Sequence, residues 1–395
     1  MTDSARGEMK RITLEGDALM RGREHGAVAT SEIDRSVEIY RRWFADMCSL
    51  KWGDAVGLVR PYWEAIQAQS NELATEISGI AEGAGRPVEE IAVLNCRTEL
   101  AYGASGLLAT ECTSLGVSDG AADGSVYVAE NWDWLPSTLD TLVLLDVKLP
   151  DGRRFLTFTE GGMVGKIGVS NTGLALCGNL LASDRNTTGV GFHTLARSVL
   201  EQRTILDGLW AVTGARRAGA GNFMLGAAEG TVANIEWLPD DFAISSSSNG
   251  TLAHANHFNA ELPGLRDRTK VLPTVSPGTY LRQQRVESLL RAARRRSGLI
   301  DIEAIKAVLR DHRHQPEAIC RHDDGTSQGQ RDGSQRPPAL ESNLSVIFDL
   351  IEQEMHYTVG PPCKQDYVAE RFPWAQVRGE PATELVGSAG EARAR

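Results

Sequence analysis

The chain runs to 395 residues, 42% hydrophobic and 24% charged, enough to bury a large core in one domain or two. Its 41 basic against 52 acidic residues leave a net charge of −11, which argues against a broad surface for nucleic acid or an anionic membrane. No apolar run approaches a membrane span, the opening MTDSARGEMKR has no apolar signal core, and 6 scattered cysteines form no dense framework, so a reducing cytoplasm is the expected compartment.

In chain order, residues 29–47 read as a helix, because Ile33, Val37, Tyr40, Phe44 and Met47 recur at spacings of four and three. Leu73, Ile77 and Ile80 repeat the pattern until Gly83, Gly85 and Pro87 stop it. Pro87 suits the first turn of a third helix, running through Ile91 and Leu94 towards Glu99. The first hundred residues are therefore expected to be mainly helical. After Cys112 the pattern changes to strands: SVYVAEN, TLVLLDVKL, RFLTFT, KIGVS and GLALCG, separated by Asp-Gly and Asn-Thr-Gly turns. Helices return at 192–203 and 282–296, the second with a basic run, RAARRR, that reads as a solvated face. NFMLGAA, TVANIEW, SNLSVIFDL and MHYTVG are later strands. A polar stretch at 322–342 reads as a long mobile loop, and the ends, roughly 1–9 and 379–395, as disordered tails. Antiparallel-type strands interleaved with helices point to layered α+β packing.

The chemistry centres on Cys112 in ATECTSLGV, which enters an apolar strand 21 positions before Asp133 in AENWDWLP. A thiol there can attack the carbonyl of Glu111, move the preceding chain onto sulfur and, after hydrolysis, leave Cys112 with a free α-amine. That amine has a reference pKa of roughly 7.7–8.0, suited to act as the nucleophile's own general base. Such a nucleophile needs helpers. Asp133 is the natural acceptor for the amine's hydrogens. Asn256, in HANHF, can offer its side-chain NH2 to an oxyanion. Arg321, in AICRHDD, is the candidate cation for the Asp charge or a substrate group.

Other readings fall away. In GGMVGKIG, Gly161 lies too close to Gly165-Lys166 for a phosphate loop, and Ile167 stands where Ser or Thr is required. With no CxxC pair, and with His254-x-x-His257 weak on its own, no metal and no cofactor are expected. A papain-like Cys-His enzyme wants its cysteine near a helix start, whereas Cys112 precedes a strand.

The chain resembles the acyl-coenzyme A:6-aminopenicillanic acid acyltransferase family, self-processing cysteine enzymes of the N-terminal-nucleophile (Ntn) hydrolases classed as peptidase family C45. The likeness runs from GREHGAVA through ISGIAEGAGRPVEEIAVLNCRTELAYG, ECTSLG, ENWDW, TEGGMVGKIGVSNTGLAL, HANHF and EAICR to NLSVIFDL, in that order. The resemblance implies a four-layer αββα Ntn sandwich with a mainly helical N-terminal segment. It implies self-cleavage between Glu111 and Cys112 into a small chain, 1–111, and a catalytic chain, 112–395, held together as a heterodimer. In it Cys112 is the nucleophile, Asp133 orients its amine, Asn256 serves the oxyanion hole, and Arg321 matches an active-site arginine of the choloylglycine hydrolase group. Two departures stand out. Glu111 occupies a position commonly Gly in the family. Glu130 stands where bile-salt hydrolases carry Arg, which speaks against a bile-salt substrate.

The expected activity is hydrolysis of an N-acyl amide or transfer of its acyl group to an amine, through a thioester on Cys112. Acyl-CoA enters as a possible substrate. The alternatives are a non-enzymatic Ntn-fold binding protein and a pure choloylglycine-hydrolase-like amidase.

Overall fold

The structure is a computed structural model and describes residues 9–105, 112–122, 124–263, 265, 278–322 and 340–375. Glu111, most of the expected 322–342 loop and the 379–395 tail lie outside the described residues. The N-terminal segment comprises β1 (Lys10–Leu14), α1 (Ala18–Val28), α2 (Thr30–Cys48), α3 (Trp52–Leu58), α4 (Arg60–Gln69), α5 (Asn71–Ala84), α6 (Val88–Asn95) and α7 (Arg97–Ser105). The third predicted helix is thus two. α6 ends where Asn95 is turned aside, its Nδ2 donating to Gly162 O and its Oδ1 accepting from Val164 N.

Helices α1 and α5 are packed backbone to backbone. A Cβ on Gly22 would lie 2.0 Å from Glu76 O, one on Gly26 2.2 Å from Ile80 O, and one on Gly83 2.2 Å from Arg23 O. That contact buries Glu76, which Arg197 (2.7 Å) and Arg21 (2.9 Å) hold from either side. Burial works to raise the Glu76 pKa, and the two arginines outweigh it, leaving it below the ordinary value.

The remainder begins with β2 (Thr113–Val117), β3 (Tyr127–Trp134), β4 (Leu142–Lys148), β5 (Arg154–Glu160), β6 (Ile167–Ser170) and β7 (Leu174–Leu180). It continues with α8 (Phe192–Leu200), α9 (Ile205–Thr213), β8 (Gly221–Ala227), β9 (Thr231–Trp237), β10 (Phe242–Ser246) and β11 (Thr251–His254). The last elements are α10 (Gly278–Ser297), α11 (Ile302–Leu309), β12 (Glu341–Asp349), β13 (Glu354–Val359) and β14 (Val368–Arg371). Among the described residues the strands form two sheets, ordered β1-β4-β5-β6-β7-β8-β9-β10 and β11-β2-β3-β12-β13-β14. β2 and β3 face β7 and β8 across the interior; α8, α9 and α2 cover the outer face of the first sheet, and α10 and α11 that of the second. This is the expected αββα order.

β1 had no counterpart in the predicted elements. It pairs in parallel with β4, so the N-terminal segment contributes an edge strand to the first sheet as well as helices. Tyr40 OH donates to Glu160 at 2.6 Å and Arg97 pairs with Glu160 at 3.0 Å, both fully buried. Residues on either side of position 111 therefore share one core.

Because both faces of each sheet are covered, every residue of β3 is buried and its sequence shows no alternation. Its polar members, Glu130, Asn131 and Asp133, must then find partners inside the protein. Where they find them defines the site.

Candidate active site

Cys112 stands at the entrance to β2, its side chain lining a small pocket between the sheets. Trp132 and Trp134 of β3 form one wall; Lys166, Gly178 and Leu180 form the opposite one. Arg97 from α7 and Phe192 and His193 from α8 close the helical side. Polar and charged groups are buried here, so their ionisation is displaced.

Burial pushes the Cys112 thiol well above its ordinary pKa, and Glu130 pushes it further; Lys166 and the Asp133 backbone N–H act against them. The resting nucleophile is a thiol that needs a base. Glu130 accepts from Gly178 N at 2.7 Å. Burial raises its pKa to about 7 against the pull of the Gly178 N–H and Lys166. Lys166 is lowered to about 7, by burial first and then by Arg97. Its ammonium nitrogen sits 3.2 Å from the Trp132 ring centroid, a cation–π contact.

The main chain of Cys112 is clamped on both sides. Its N–H donates to Asn256 Oδ1 at 2.8 Å, and its carbonyl accepts from Arg282 Nη1 at 2.6 Å. Arg282 also donates to Thr113 Oγ1 at 2.8 Å and to Asn256 Oδ1 at 3.2 Å. Asn256 Nδ2 donates to Leu180 O at 3.1 Å, and its own N–H goes to Thr279 Oγ1 at 2.7 Å. Two donors meet Oδ1 and one acceptor meets Nδ2, so the amide has a single chemically consistent orientation.

Asp133 Oδ1 accepts from Ser342 Oγ at 2.5 Å, and that hydroxyl accepts the Arg321 N–H at 2.9 Å. Ser342 is aimed there by an irregularity in β12: its register with β3 shifts between Ser342 and Leu344, accommodating an extra residue, Asn343. Asn343 Nδ2 bonds Leu135 O at 2.8 Å and Thr138 Oγ1 at 3.0 Å. Burial raises the Asp133 pKa well above its ordinary value, while Arg282 and Ser342 oppose that shift. Asp133 Oδ2 is buried with no hydrogen-bond partner.

Cys112, Asp133 and Asn256 thus come together from three segments of the chain. The acceptor that the Cys112 N–H meets is Asn256 Oδ1; Asp133 meets the Cys112 thiol through its backbone N–H and feels the charge of Arg282. Arg321 joins through its main chain, and the guanidinium set against Cys112 is that of Arg282. Sequence reasoning passed over Arg282 because RAARRR made the helix look solvated. Yet Arg282, Val286, Leu290 and Ala293 form its buried stripe, and a charge on an apolar stripe was a usable signal. In the sequence Lys166 resembles part of a phosphate loop and Glu130 a departure from the bile-salt hydrolase pattern; burial gives both their place in the site. His254 is held by Ala255 O and Glu236, and His257 Nδ1 meets Thr279 Oγ1.

Over 365 residues, 91% of this chain and 94% of the relative, the chain is 25% identical to the acyl-coenzyme A:6-aminopenicillanic-acid-acyltransferase 40 kDa form of Emericella nidulans. A variant of conjugated bile acid hydrolase from Clostridium perfringens superposes with a TM-score of 0.46 at 13% identity, covering 66% of this chain and 92% of that one. Penicillin V acylase from Agrobacterium tumefaciens gives 0.42 at 14% identity, covering 63% and 82%. Residues 121–330 match the model of the family described as acyl-coenzyme A:6-aminopenicillanic acid acyl-transferase. That match takes in more than half of the 395 residues, and the chain belongs to this family.

Proposed function

We propose that the protein is a self-processing cysteine enzyme that forms an acyl-thioester on Cys112 and passes the acyl group to water or to an amine. The observation that carries this reading is the clamp on Cys112: a buried thiol facing a pocket, with the N–H and carbonyl of the same residue held by Asn256 and Arg282. A nucleophile fixed through its own backbone is positioned both for the preceding peptide bond and for a substrate carbonyl.

In processing, Cys112 Sγ adds to the Glu111 carbonyl, the C–N bond breaks, and the chain moves onto sulfur as a thioester. Water then cleaves the thioester, leaving a Glu111 carboxylate and a free amine and thiol on Cys112. The new amine keeps Asn256 Oδ1 as one acceptor, and the buried Asp133 Oδ2 offers a second.

In turnover the amine takes the thiol proton, sulfur attacks the acyl carbonyl, and the second hydrogen of Asn256 Nδ2 faces the oxyanion. The leaving group departs as an amine from an N-acyl amide or as a thiol from acyl-CoA. Water or an amine then attacks the thioester, giving hydrolysis or transfer. The small and large chains stay associated after cleavage because they share one core.

The test is a mass measurement of purified protein with N-terminal sequencing, then a screen of N-acyl amides and acyl-CoA/amine pairs. Two chains with a new N-terminus at Cys112, a Cys112→Ala variant that stays whole and inert, and an acyl adduct on the large chain are expected. An active, uncut 395-residue species would sink the processing claim, and full turnover by Cys112→Ala would sink the nucleophile.

A further inference from the structure

We propose that His312, Cys320, His322 and Cys363 form a structural zinc site on the helix-covered side of the second sheet, apart from the residues that line the pocket. The four side chains offer two imidazole nitrogens and two thiols, one ligand atom each, and these atoms all lie within 4.8 Å of one another. The Nε2 atoms of His312 and His322 face each other at 3.2 Å. Around a tetrahedral zinc, Zn–N bonds of about 2.0–2.1 Å and Zn–S bonds of about 2.3 Å place ligand atoms roughly 3.3–3.8 Å apart. The set is therefore close to coordination distance before any ion binds.

The donor chemistry fits zinc in particular. Two thiolates and two neutral imidazoles neutralise a divalent charge and make a closed four-ligand set, the usual form of a structural site. No carboxylate belongs to the group, which disfavours calcium and magnesium. Thiolate formation on binding releases two protons to solvent.

The surrounding scaffold is already fixed. His312, Cys320 and His322 lie in the segment after α11, and Cys363 in the turn between β13 and β14. Asn131 of β3 spans the first segment, its Nδ2 donating to both Leu309 O and Ile319 O at 2.8 Å. Cys320 N bonds Asp311 O at 3.0 Å, and Asp311 pairs with Arg285 at 2.6 Å. Arg310 Nε crosses to Pro362 O at 2.8 Å, tying the two ligand-bearing segments together. Protein hydrogen bonds thus preorganise the ligands, and the ion would join what lies between them.

Its placement gives it a consequence for the active site. Cys320 precedes Arg321, whose N–H holds Ser342 Oγ, which in turn holds Asp133. Zinc on Cys320 would fix that residue's main chain and, through it, the direction of the Ser342 hydroxyl. It acts as a positioning group and touches no substrate.

The experiment is elemental analysis of the full-length protein purified without chelator, followed by cobalt(II) titration of the metal-stripped protein. About one zinc per chain is expected. Cobalt should give the visible bands of a tetrahedral site and a near-ultraviolet thiolate charge-transfer band. Cys363→Ser, at a half-buried position, should lower zinc to trace levels, and His312→Ala should weaken cobalt binding at least tenfold. Wild-type protein that carries only trace zinc and gives no tetrahedral cobalt spectrum overturns the proposal. A Cys320–Cys363 disulfide in the native mass also overturns it, as does full zinc retention in Cys363→Ser. The wild-type cobalt titration decides the matter even if a variant fails to fold.

Discussion

Strand β3 serves two environments through alternate residues. Trp132 and Trp134 line the pocket, and Glu130 reaches across to Gly178 of the opposite sheet. Asn131 points the other way, to the carbonyls of Leu309 and Ile319, and Asp133 lies against Ser342. The pocket face holds ionisable groups displaced towards neutrality, Glu130 and Lys166 both at about 7. The helix face is a chain of hydrogen bonds that fixes geometry. One face carries groups with displaced ionisation and the other a run of fixed hydrogen bonds. Cys112 sits where they meet, its thiol in the first and its backbone held by the second.

Asn256 belongs to both sides, so removing it should have the largest effect on this division. Asn256→Ala deletes the acceptor for the Cys112 N–H and the donor proposed for the oxyanion. Turnover of processed enzyme should fall about 10²–10³-fold with a smaller change in KM. Asn256→Asp separates the roles, since it keeps an acceptor oxygen and loses the NH2. Wild-type kcat in purified, processed Asn256→Asp would place the oxyanion donor elsewhere and leave Asn256 a positioning residue.

The next effect distinguishes two arginines. Arg282→Met removes the bonds to Cys112 O, Thr113 and Asn256 and the charge beside Asp133. A hydrogen bond from a charged donor typically contributes about 1.5–3 kcal/mol, so lower thermal stability should accompany a loss of kcat. Arg321→Met leaves the main-chain bond to Ser342 in place and should change kcat by less than about threefold. Equal losses of kcat in the two variants, at matched folding, would restore Arg321 to the role the sequence suggested for it.

What the sequence made legible follows from how each feature is encoded. The amphipathic spacing of Ile33, Val37, Tyr40 and Phe44 gave α2 within a residue or two, and apolar runs gave the central strands. Short edge strands such as β1 and β14 carry too little pattern to be read. Cys112, Asp133 and Asn256 were readable because each sits in a distinctive local string. Arg282 and Lys166 were not, because their meaning lies in burial: a cation on an apolar stripe and a cation against Trp132. His312, Cys320 and His322 share one short segment at no standard ligand spacing, and only the fold adds Cys363 to them.

The smallest effect is the most discriminating about the base. Glu130, raised from 4.5 to about 7, keeps its proton in the folded protein where the unfolded chain has released it. Its contribution to stability is complete below about pH 4.5 and is lost as pH rises through about 7. Lys166, lowered from 10.5 to about 7, acts oppositely: its penalty is absent above about pH 10.5 and grows as pH falls to about 7. Together they place a local minimum of stability near neutral pH. Glu130→Gln should flatten the decline between pH 5 and 7 in denaturant titrations and leave the rise above pH 7 intact. The same variant tests catalysis, because a carboxyl near 7 and a terminal amine would give acid limbs in the same pH range. If the Cys112 amine is the base, the limb in kcat/KM survives in processed Glu130→Gln, shifted modestly by the loss of a neighbouring charge. Its disappearance with the fold intact would assign proton removal to Glu130 and reduce the amine to a group that positions the thiol.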